Sequence, residues 1–389
     1  LGTVPVEISH LMAQYQVLSY RVFMLEQKAG SYDHAAQTYP ELALATVTTH
    51  DMPTLVGYWQ EHDLALRHQL DLFPSPAVAD SLHQLRESEK QILQQQLPLL
   101  DLRAPLEFSR GAFAKSCNLP LMSDAERAAV GTCYKQQGQQ AAIALGHQLV
   151  QGEVKQHRVQ SWAAFAKANP QGMLYCARGG LRSQIAQQWL SDAGVVYPRV
   201  KGGFKALRQA AINTIEQAAT QPLLLLAGPT GSGKTRLLQQ LQAVDLEALA
   251  NHRGSAFGRK LAPQPSQIRF ENDLAGALLR SQANAARYLL LEDESLLIGQ
   301  RNIPHPLYQA MQQSPLLLLQ VPQAERIEVI LRDYIVDLYS EAQAADAEYG
   351  FARFSNMLQQ AMARIAKRLG GVLYSELAAM LNAALAVQQ

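Results

Sequence analysis

Residues 228–235 read Gly-Pro-Thr-Gly-Ser-Gly-Lys-Thr and match the phosphate-loop pattern G-x-x-x-x-G-K-[ST] at every fixed position. An apolar run typical of a buried strand, 222–227, precedes them, and a helix pattern, 236–241, follows. In such a turn the backbone N–H groups surround a phosphate, the lysine adds positive charge and the threonine hydroxyl can hold Mg²⁺. The stretch predicts an α/β domain with a parallel sheet and a phosphate site formed by Gly228, Gly231, Ser232, Gly233, Lys234 and Thr235.

A second strand-loop-helix pattern lies upstream and contains a cysteine. The apolar run 172–174 is followed by residues 175–183, Tyr-Cys-Ala-Arg-Gly-Gly-Leu-Arg-Ser, and then by an amphipathic helix pattern. A cysteine at the start of such a loop meets backbone N–H donors and the positive end of a helix, which stabilise a thiolate. The pattern predicts a reactive Cys176 on a loop whose other functional residues are Arg178, Gly179, Gly180 and Arg182.

Two kinds of cysteine chemistry fit this loop. The spacing from Cys176 to Arg182 matches the Cys-x5-Arg loop of cysteine phosphatases, but that loop has histidine where Tyr175 stands. Residues 99–108, Leu-Leu-Asp-Leu-Arg-Ala-Pro-Leu-Glu-Phe, together with the Gly-Ala and Asn-Leu-Pro stretches at 111–120, resemble the beginning of a rhodanese-like domain. Transfer of sulfur or selenium is therefore favoured over phosphatase chemistry.

A rhodanese-like domain followed by a phosphate-loop domain is an unusual pairing. The sequence between and after the two loops resembles that of tRNA 2-selenouridine synthases. The resemblance covers about residues 95–388. It is carried by these further stretches: Gly131-Thr132-Cys133-Tyr134, Leu145-Gly146-His147, Gly202-Gly203-Phe204-Lys205, Asp245-Leu246-Glu247, His252-Arg253-Gly254 and Leu291-Glu292-Asp293-Glu294-Ser295.

This resemblance implies an enzyme that replaces sulfur by selenium in 2-thiouridine at the wobble position of tRNA. Selenophosphate is then the selenium donor, and geranyl diphosphate forms a geranylated 2-thiouridine intermediate. Cys176 matches the family's reactive cysteine, and residues 228–235 match its phosphate loop. A leaving diphosphate suits the phosphate loop, and the selenium nucleophile suits the cysteine loop.

Two further stretches carry charge. Residues 288–294 read as a buried strand that ends in Glu292, Asp293 and Glu294, a Walker-B-like position for Mg²⁺ or a water. Between residues 176 and 208 there are six basic residues against one acid, and the acid-free loop 251–260 adds more positive charge. These segments predict a local basic face for the tRNA backbone, although solvated helix charges would give the same pattern.

The first ninety residues differ from the rest. Leu1-Gly2-Thr3-Val4-Pro5 and the stretch 48–54 around Asp51 resemble the C-terminal part of a 4-alpha-glucanotransferase, a TIM-barrel enzyme. Asp51 falls on that family's transition-state-stabilising aspartate, but the nucleophile and the acid/base carboxylate lie outside this sequence. Because retaining glycosyl transfer needs both carboxylates, we expect an inactive fragment joined to a C-terminally shortened second protein.

The composition of the whole chain fits a multidomain, globular protein. A length of 389 residues fits two to three domains. The resemblances and the phosphate loop imply a TIM-barrel fragment over 1–92, a rhodanese-like domain over 93–217, and a P-loop NTPase-like domain with C-terminal helices over 218–389. Three cysteines without regular pairing indicate a reducing cytoplasm, and no apolar run approaches the ~20 residues of a membrane span.

Two alternatives remain open at this point. One is a nucleotide-binding protein with a phosphate loop and an inert rhodanese domain, which would hydrolyse nucleotides and transfer no selenium. The other, more remote, is a remnant of a glucan-processing enzyme, suggested by Asp51 alone.

Overall fold

The computed structural model describes residues 19–22, 43–46, 88–282 and 287–387, which fall into two units divided between Glu87 and Ser88. In the first unit, β1 (Ser19–Val22) pairs in parallel with β2 (Ala43–Thr46). The TIM-barrel fragment stays a prediction, and Asp51 lies outside the described residues.

The second unit begins with a parallel sheet of three strands, in the order β4-β3-β5. Residues 88–95, which precede it, are helical. The strands are β3 (Leu99–Asp101), β4 (Ser116–Asn118) and β5 (Met173–Tyr175). Its helices are α1 (Pro105–Ser109), α2 (Asp124–Leu149), α3 (Gly152–Ala168) and α4 (Leu181–Asp192). Whether this part has the rhodanese fold stays a prediction.

Local sequence explains where the longest of these helices begins and bends. The Ser123 hydroxyl accepts a hydrogen bond from the Glu126 N–H at 3.3 Å, and the Glu126 carboxylate accepts one from the Ser123 N–H at 2.7 Å. This capping box satisfies two N–H groups that a helix start otherwise leaves without partners. Gly138, at φ 83°, bends α2 in its middle.

A second parallel sheet contains β6 (Leu223–Ala227), β7 (Leu289–Glu292) and β10 (Leu316–Leu318), in the order β10-β6-β7. A short antiparallel pair, β8 (Leu297–Ile298) and β9 (Arg301–Asn302), follows β7. The helices of this part are α5 (Gly203–Ala218), α6 (Lys234–Gln240), α7 (Leu246–Ala250), α8 (Gln267–Gln282) and α9 (His305–Gln312). The α/β class with parallel sheets is confirmed.

The last part is helical, as the sequence predicts. It consists of α10 (Gln323–Leu331), a π-helical turn (Arg332–Val336), α11 (Asp337–Ala345), α12 (Gly350–Leu369) and α13 (Gly371–Ala386). Gly370, at φ 77°, separates the last two helices, a conformation that glycine adopts without steric cost. Within the described residues, no helix is both long enough and apolar enough to span a membrane.

The two sheets of the second unit share one hydrophobic core. It contains Leu99 and Tyr175 from the first sheet, Leu225 from the second, and residues of α5 and α8 such as Leu207 and Phe270. The predicted boundary at 217/218 therefore lies between segments that pack against each other.

One expectation about packing is wrong. The apolar run 315–321 predicts a buried strand, yet Leu316, Leu317 and Leu318 are 59%, 47% and 60% exposed. Successive side chains of a strand point to opposite faces, so both faces of the edge strand β10 are exposed in the described part of the chain, which a run of leucines does not reveal.

Two candidate active-site loops

The phosphate loop has the predicted strand-loop-helix form. β6 ends at Ala227 and α6 begins at Lys234, with Gly231 at φ 80° and Gly233 at φ 79° between them. A Cβ atom on Gly231 would lie 2.5 Å from the carbonyl oxygen of Arg326 in α10. Glycine is therefore required at this position both for its backbone conformation and for the close approach of that helix.

Two side chains of this loop are placed to meet an anion. The Lys234 ammonium donates a hydrogen bond to the Gly228 carbonyl at 2.8 Å, which folds the side chain back over the loop. Ser232 is 6% exposed, and its hydroxyl oxygen has no hydrogen-bond partner among the described residues. A cation, a buried hydroxyl and the start of a helix at one point fit a phosphate group.

The loop forms one wall of a cleft of about 940 Å³. The other walls come from α10, from the loop 252–255, and from acidic residues at the start of α7 and at the end of β7. The Arg326 guanidinium of α10 donates to the Thr230 carbonyl at 3.0 Å and so joins that helix to the phosphate loop. The cleft is large enough for a diphosphate ester or a nucleotide.

Three glutamates meet in this cleft. Glu292, at the end of β7, is fully buried and lies opposite Leu226 in the parallel register. Its Oε2 accepts a hydrogen bond from the Glu247 N–H at 3.1 Å, and carboxylate oxygens of Glu247, Glu292 and Glu294 all lie within 4.8 Å of one another. Asp293 lines the cleft and is exposed, but it does not belong to this group.

Burial and mutual repulsion change the acidity of these groups. Burial, then the charges of Glu247 and Asp245, raises the pKa of Glu292 to about 9. Burial, then Glu294, raises the pKa of Glu247 to about 8, although Lys234 acts in the opposite direction. The pKa of Glu294 is raised as well, mainly by burial. Without a cation, the cluster therefore retains protons at neutral pH.

The loop 251–260 lies against the same glutamates. A Cβ atom on Gly254 would be 2.4 Å from Oε1 of Glu247, so the loop backbone touches the cluster. The Arg253 guanidinium lies 5.2 Å from the ring centre of Tyr334, and the Arg364 guanidinium donates to the Ala256 carbonyl at 2.7 Å. The π-helical turn and α12 thus hold this loop beside the phosphate loop.

The cysteine loop follows the first sheet in the predicted way. Cys176 comes directly after β5, and α4 begins five residues later at Leu181. The cysteine is 3% exposed, and its Sγ lies 3.3 Å from the Ser183 hydroxyl oxygen. Gly179 adopts φ 63°, which turns the chain back towards the helix.

The start of α5 holds this loop from outside. The N–H groups of Phe204 and Lys205 donate to the carbonyls of Cys176 and Ala177, at 2.8 and 3.0 Å. A Cβ atom on Gly203, at φ 61°, would lie 2.2 Å from the Cys176 carbonyl oxygen. The backbone of the cysteine loop is therefore fixed by a close, glycine-dependent contact.

The predicted basic residues do not all surround the thiol. Arg182 forms a two-point ion pair with Glu107, with nitrogen–oxygen distances of 2.7 and 3.3 Å. Arg208 pairs with Glu271, and Arg199 donates to the Gly179 carbonyl. The exposed cations nearest in sequence to the loop and to the start of α5 are Arg178, Lys201 and Lys205.

A buried charged network supports the loop from the sheet. Arg103 forms an ion pair with Asp101 at 2.6 Å, and the Tyr175 hydroxyl donates to the same carboxylate at 2.5 Å. The Arg103 guanidinium also stacks 3.8 Å above the Phe204 ring. Asp101 and Arg103 thus form a structural link between β3, β5 and α5, because their charges are satisfied inside the core.

Comparison with known proteins adds the family context. Residues 221–389 match the family model described as the tRNA 2-selenouridine synthase AAA domain, and residues 1–129 match that of 4-alpha-glucanotransferase. The second match continues beyond the predicted boundary at residue 92 and into the second structural unit.

Curated relatives cover most of the chain. A tRNA 2-selenouridine synthase of Pseudomonas fluorescens is 54% identical over 293 residues, which are 75% of this chain and 80% of the relative. Those of Ectopseudomonas mendocina and of a Shewanella strain are 55% and 54% identical, and the matches cover 79% and 80% of their lengths.

Proposed function

The chain belongs to the tRNA 2-selenouridine synthase family, and we propose that its two loops carry two successive steps of one tRNA modification. It is a transferase that converts 2-thiouridine in tRNA to 2-selenouridine, with selenophosphate as the selenium source. The observation that carries the proposal is that both loops are formed in one unit with a shared core. A cytoplasmic location remains a prediction.

In the first step, the phosphate loop binds the diphosphate of geranyl diphosphate. The sulfur of 2-thiouridine attacks the first carbon of the geranyl chain, a C–S bond forms, the C–O bond breaks and diphosphate leaves. The N3 proton of the base is released to solvent. Lys234 and the N–H groups at the start of α6 stabilise the negative charge that develops on the leaving group. The step activates the base, since an alkylated sulfur is a far better leaving group than a thiocarbonyl sulfur.

In the second step, the cysteine loop guides the selenium nucleophile. The selenium of selenophosphate attacks C2 of the alkylated uracil, the C–S bond breaks, and geranylthiolate leaves and takes up a proton. Water then hydrolyses the Se–P bond and releases phosphate, so no oxidant or reductant is required. Cys176 begins this loop, where its thiol holds the selenium donor against C2 of the base, and the exposed Arg178 supplies positive charge for an anionic donor.

The tRNA backbone is the third ligand. Lys201 and Lys205 are exposed beside the cysteine loop, and the N–H of Lys205 donates to the loop carbonyl of Ala177. Contacts of such residues to phosphates would position the modified base at the thiol, and they would weaken with rising salt concentration.

Two single substitutions separate the two steps. Cys176→Ala should abolish the conversion of a geranylated 2-thiouridine oligonucleotide to 2-selenouridine, while geranylation of 2-thiouridine continues. Lys234→Ala should give the reverse pattern, because only the first step releases diphosphate. Mass spectrometry of the nucleosides measures both. If Cys176→Ala still selenates, or Lys234→Ala still geranylates at the wild-type rate, that loop has been assigned the wrong step.

The acidic cluster also fits a second candidate function, nucleotide hydrolysis. Carboxylates beside a phosphate-loop lysine are typical of nucleotide hydrolases, and Glu247 and Glu294 lie close enough to Lys234 to interact with its charge. Release of phosphate from ATP or GTP in the absence of tRNA, without any selenation, would favour a nucleotide-dependent protein over the transferase.

A further inference from the structure

Three glutamates approach one point in the cleft from separate segments. Glu247 comes from the first turn of α7, Glu292 from the end of β7, and Glu294 from the loop after it. Their nearest oxygens lie within 4.8 Å of one another. Oxygens bound to a six-coordinate Mg²⁺, at bonds of about 2.1 Å, are about 3.0–4.2 Å apart. Small side-chain rotations therefore suffice to bring all three onto one ion.

A buried oxygen in this cluster has no partner. Glu292 is fully buried, and while its Oε2 accepts the Glu247 N–H, its Oε1 makes no hydrogen bond with any described residue. Buried carboxylate oxygens normally have a hydrogen-bond donor or a cation beside them. The missing partner of this oxygen is an observation separate from the closeness of the three carboxylates. It indicates a positively charged ligand.

Charge balance in the cleft indicates the same kind of ligand. Eight carboxylates and five basic side chains line the cleft, and the cation that acts on both Glu247 and Glu294 is Lys234, whose ammonium is already bonded to the Gly228 carbonyl. Hard divalent cations prefer carboxylate oxygens and often bind through carboxylates together with substrate phosphates. A bound divalent cation would offset this excess of negative charge.

We propose that Glu247, Glu292 and Glu294 bind one divalent cation of the Mg²⁺ type, which also contacts the diphosphate held by residues 228–235. The inference rests on the proposed function, since that function supplies the diphosphate. It differs from the set of ligands that sequence alone suggests. Glu247 takes the place of Asp293, because the side chain of Asp293 is exposed and lies outside the cluster.

Titration of the full chain with Mn²⁺, followed by the loss of the free-ion signal in electron paramagnetic resonance, tests the site. One tightly bound Mn²⁺ that Mg²⁺ displaces is expected. Glu247→Gln and Glu294→Gln should each weaken Mn²⁺ binding by about tenfold or more. Asp293→Asn is the matched control, a neighbouring acid that should change the affinity by less than about twofold.

Inorganic diphosphate tests the shared ligand. It should tighten Mn²⁺ binding to the wild-type chain and should fail to do so in Lys234→Ala, whose phosphate loop has lost its cation. If diphosphate leaves the wild-type affinity for Mn²⁺ unchanged, the contact between the ion and diphosphate is wrong.

Three outcomes would overturn the site itself: no saturable Mn²⁺ binding, unchanged affinity in both glutamine variants, or an equal loss in Asp293→Asn. Circular dichroism identifies a variant that fails to fold. In that case the Mn²⁺ affinity of the other glutamine variant tests the site. No tRNA is present, so this result is separate from the selenation assay. If the metal site is absent but Cys176→Ala and Lys234→Ala each block only their own step, the proposed function is still supported.

Discussion

Glu247 shows how a single residue links two parts of the cleft. Its N–H donates to Glu292, its carboxylate lies near Glu294, and Gly254 of the neighbouring loop touches it. Its place in the first turn of a short helix gives no local sign of this role. The contact spans 45 residues of sequence, and such long-range contacts are not visible in a local pattern.

Without a metal ion, the cluster should make stability fall as pH rises. Burial, and then the charges of Glu294 and Asp245, raises the pKa of Glu247 to about 8 in the folded chain from 4.5 for a solvated glutamate, while Lys234 opposes the shift. Below 4.5 both states hold the proton; between 4.5 and 8 only the folded state does, so each rise in pH favours unfolding. Glu247→Gln should therefore raise Tm in EDTA by about 2–4 °C more at pH 8 than at pH 5.

Thermal unfolding of the wild-type chain, Glu247→Gln and Asp293→Asn at both pH values measures this effect. Asp293→Asn, which replaces an exposed neighbour, should shift Tm equally at the two pH values. A larger benefit of Glu247→Gln at pH 5 than at pH 8 would contradict the raised pKa.

At the scale of elements, both sites are turns from a parallel strand into a helix. β5 leads through Cys176 into α4, and β6 leads through the phosphate loop into α6. The two turns differ in what supports them from outside. The start of α5 donates two N–H groups to the cysteine loop, whereas α10 packs against the phosphate loop at Gly231.

Gly203→Ala should disturb the cysteine loop selectively. The new Cβ would lie 2.2 Å from the Cys176 carbonyl oxygen and 2.4 Å from the Gly179 nitrogen, both backbone atoms, at a φ of 61°. Strain of this kind costs about 1–3 kcal/mol. We expect a lower Tm and slower selenation of a geranylated substrate, while geranylation itself changes little.

Gly131→Ala is the matched control, because this glycine lies inside α2 and its Cβ would meet no atom within 4 Å. Alanine favours a helix over glycine by about 1 kcal/mol, so Tm should stay the same or rise. Wild-type selenation in Gly203→Ala would mean that the contact between α5 and the loop is unimportant for the reaction.

The sequence predicts local turns well and their surroundings poorly. Both loops, the acid at the end of β7 and the C-terminal helices follow from short patterns of glycine, charge and apolar spacing. The pairing of Arg182 with Glu107, 75 residues away, cannot be predicted from such local patterns. The exposure of Leu317 on an edge strand cannot be predicted from them either. Those features depend on which segments become neighbours in the folded chain, which composition and periodicity do not encode.

At the scale of the whole molecule, the two loop-bearing sheets belong to one unit. Asn272 of α8 donates to the Ala112 carbonyl at 3.0 Å and accepts from Arg208 of α5 at the same distance, which joins the two halves by polar contacts as well. Such packing fits the proposal that one tRNA base passes from an alkylating site to a selenating site. That the first unit, with Asp51, takes no part in this chemistry is a proposal.

The most direct measurement is mass spectrometry of nucleosides from 2-thiouridine tRNA incubated with this chain, geranyl diphosphate and selenophosphate. We expect 2-selenouridine in the presence of both donors, geranyl-2-thiouridine when selenophosphate is omitted, and the same products with Asp51→Ala. If 2-thiouridine remains unchanged with both donors while a full-length relative converts it in parallel, the claim that this chain is a working selenium transferase is wrong.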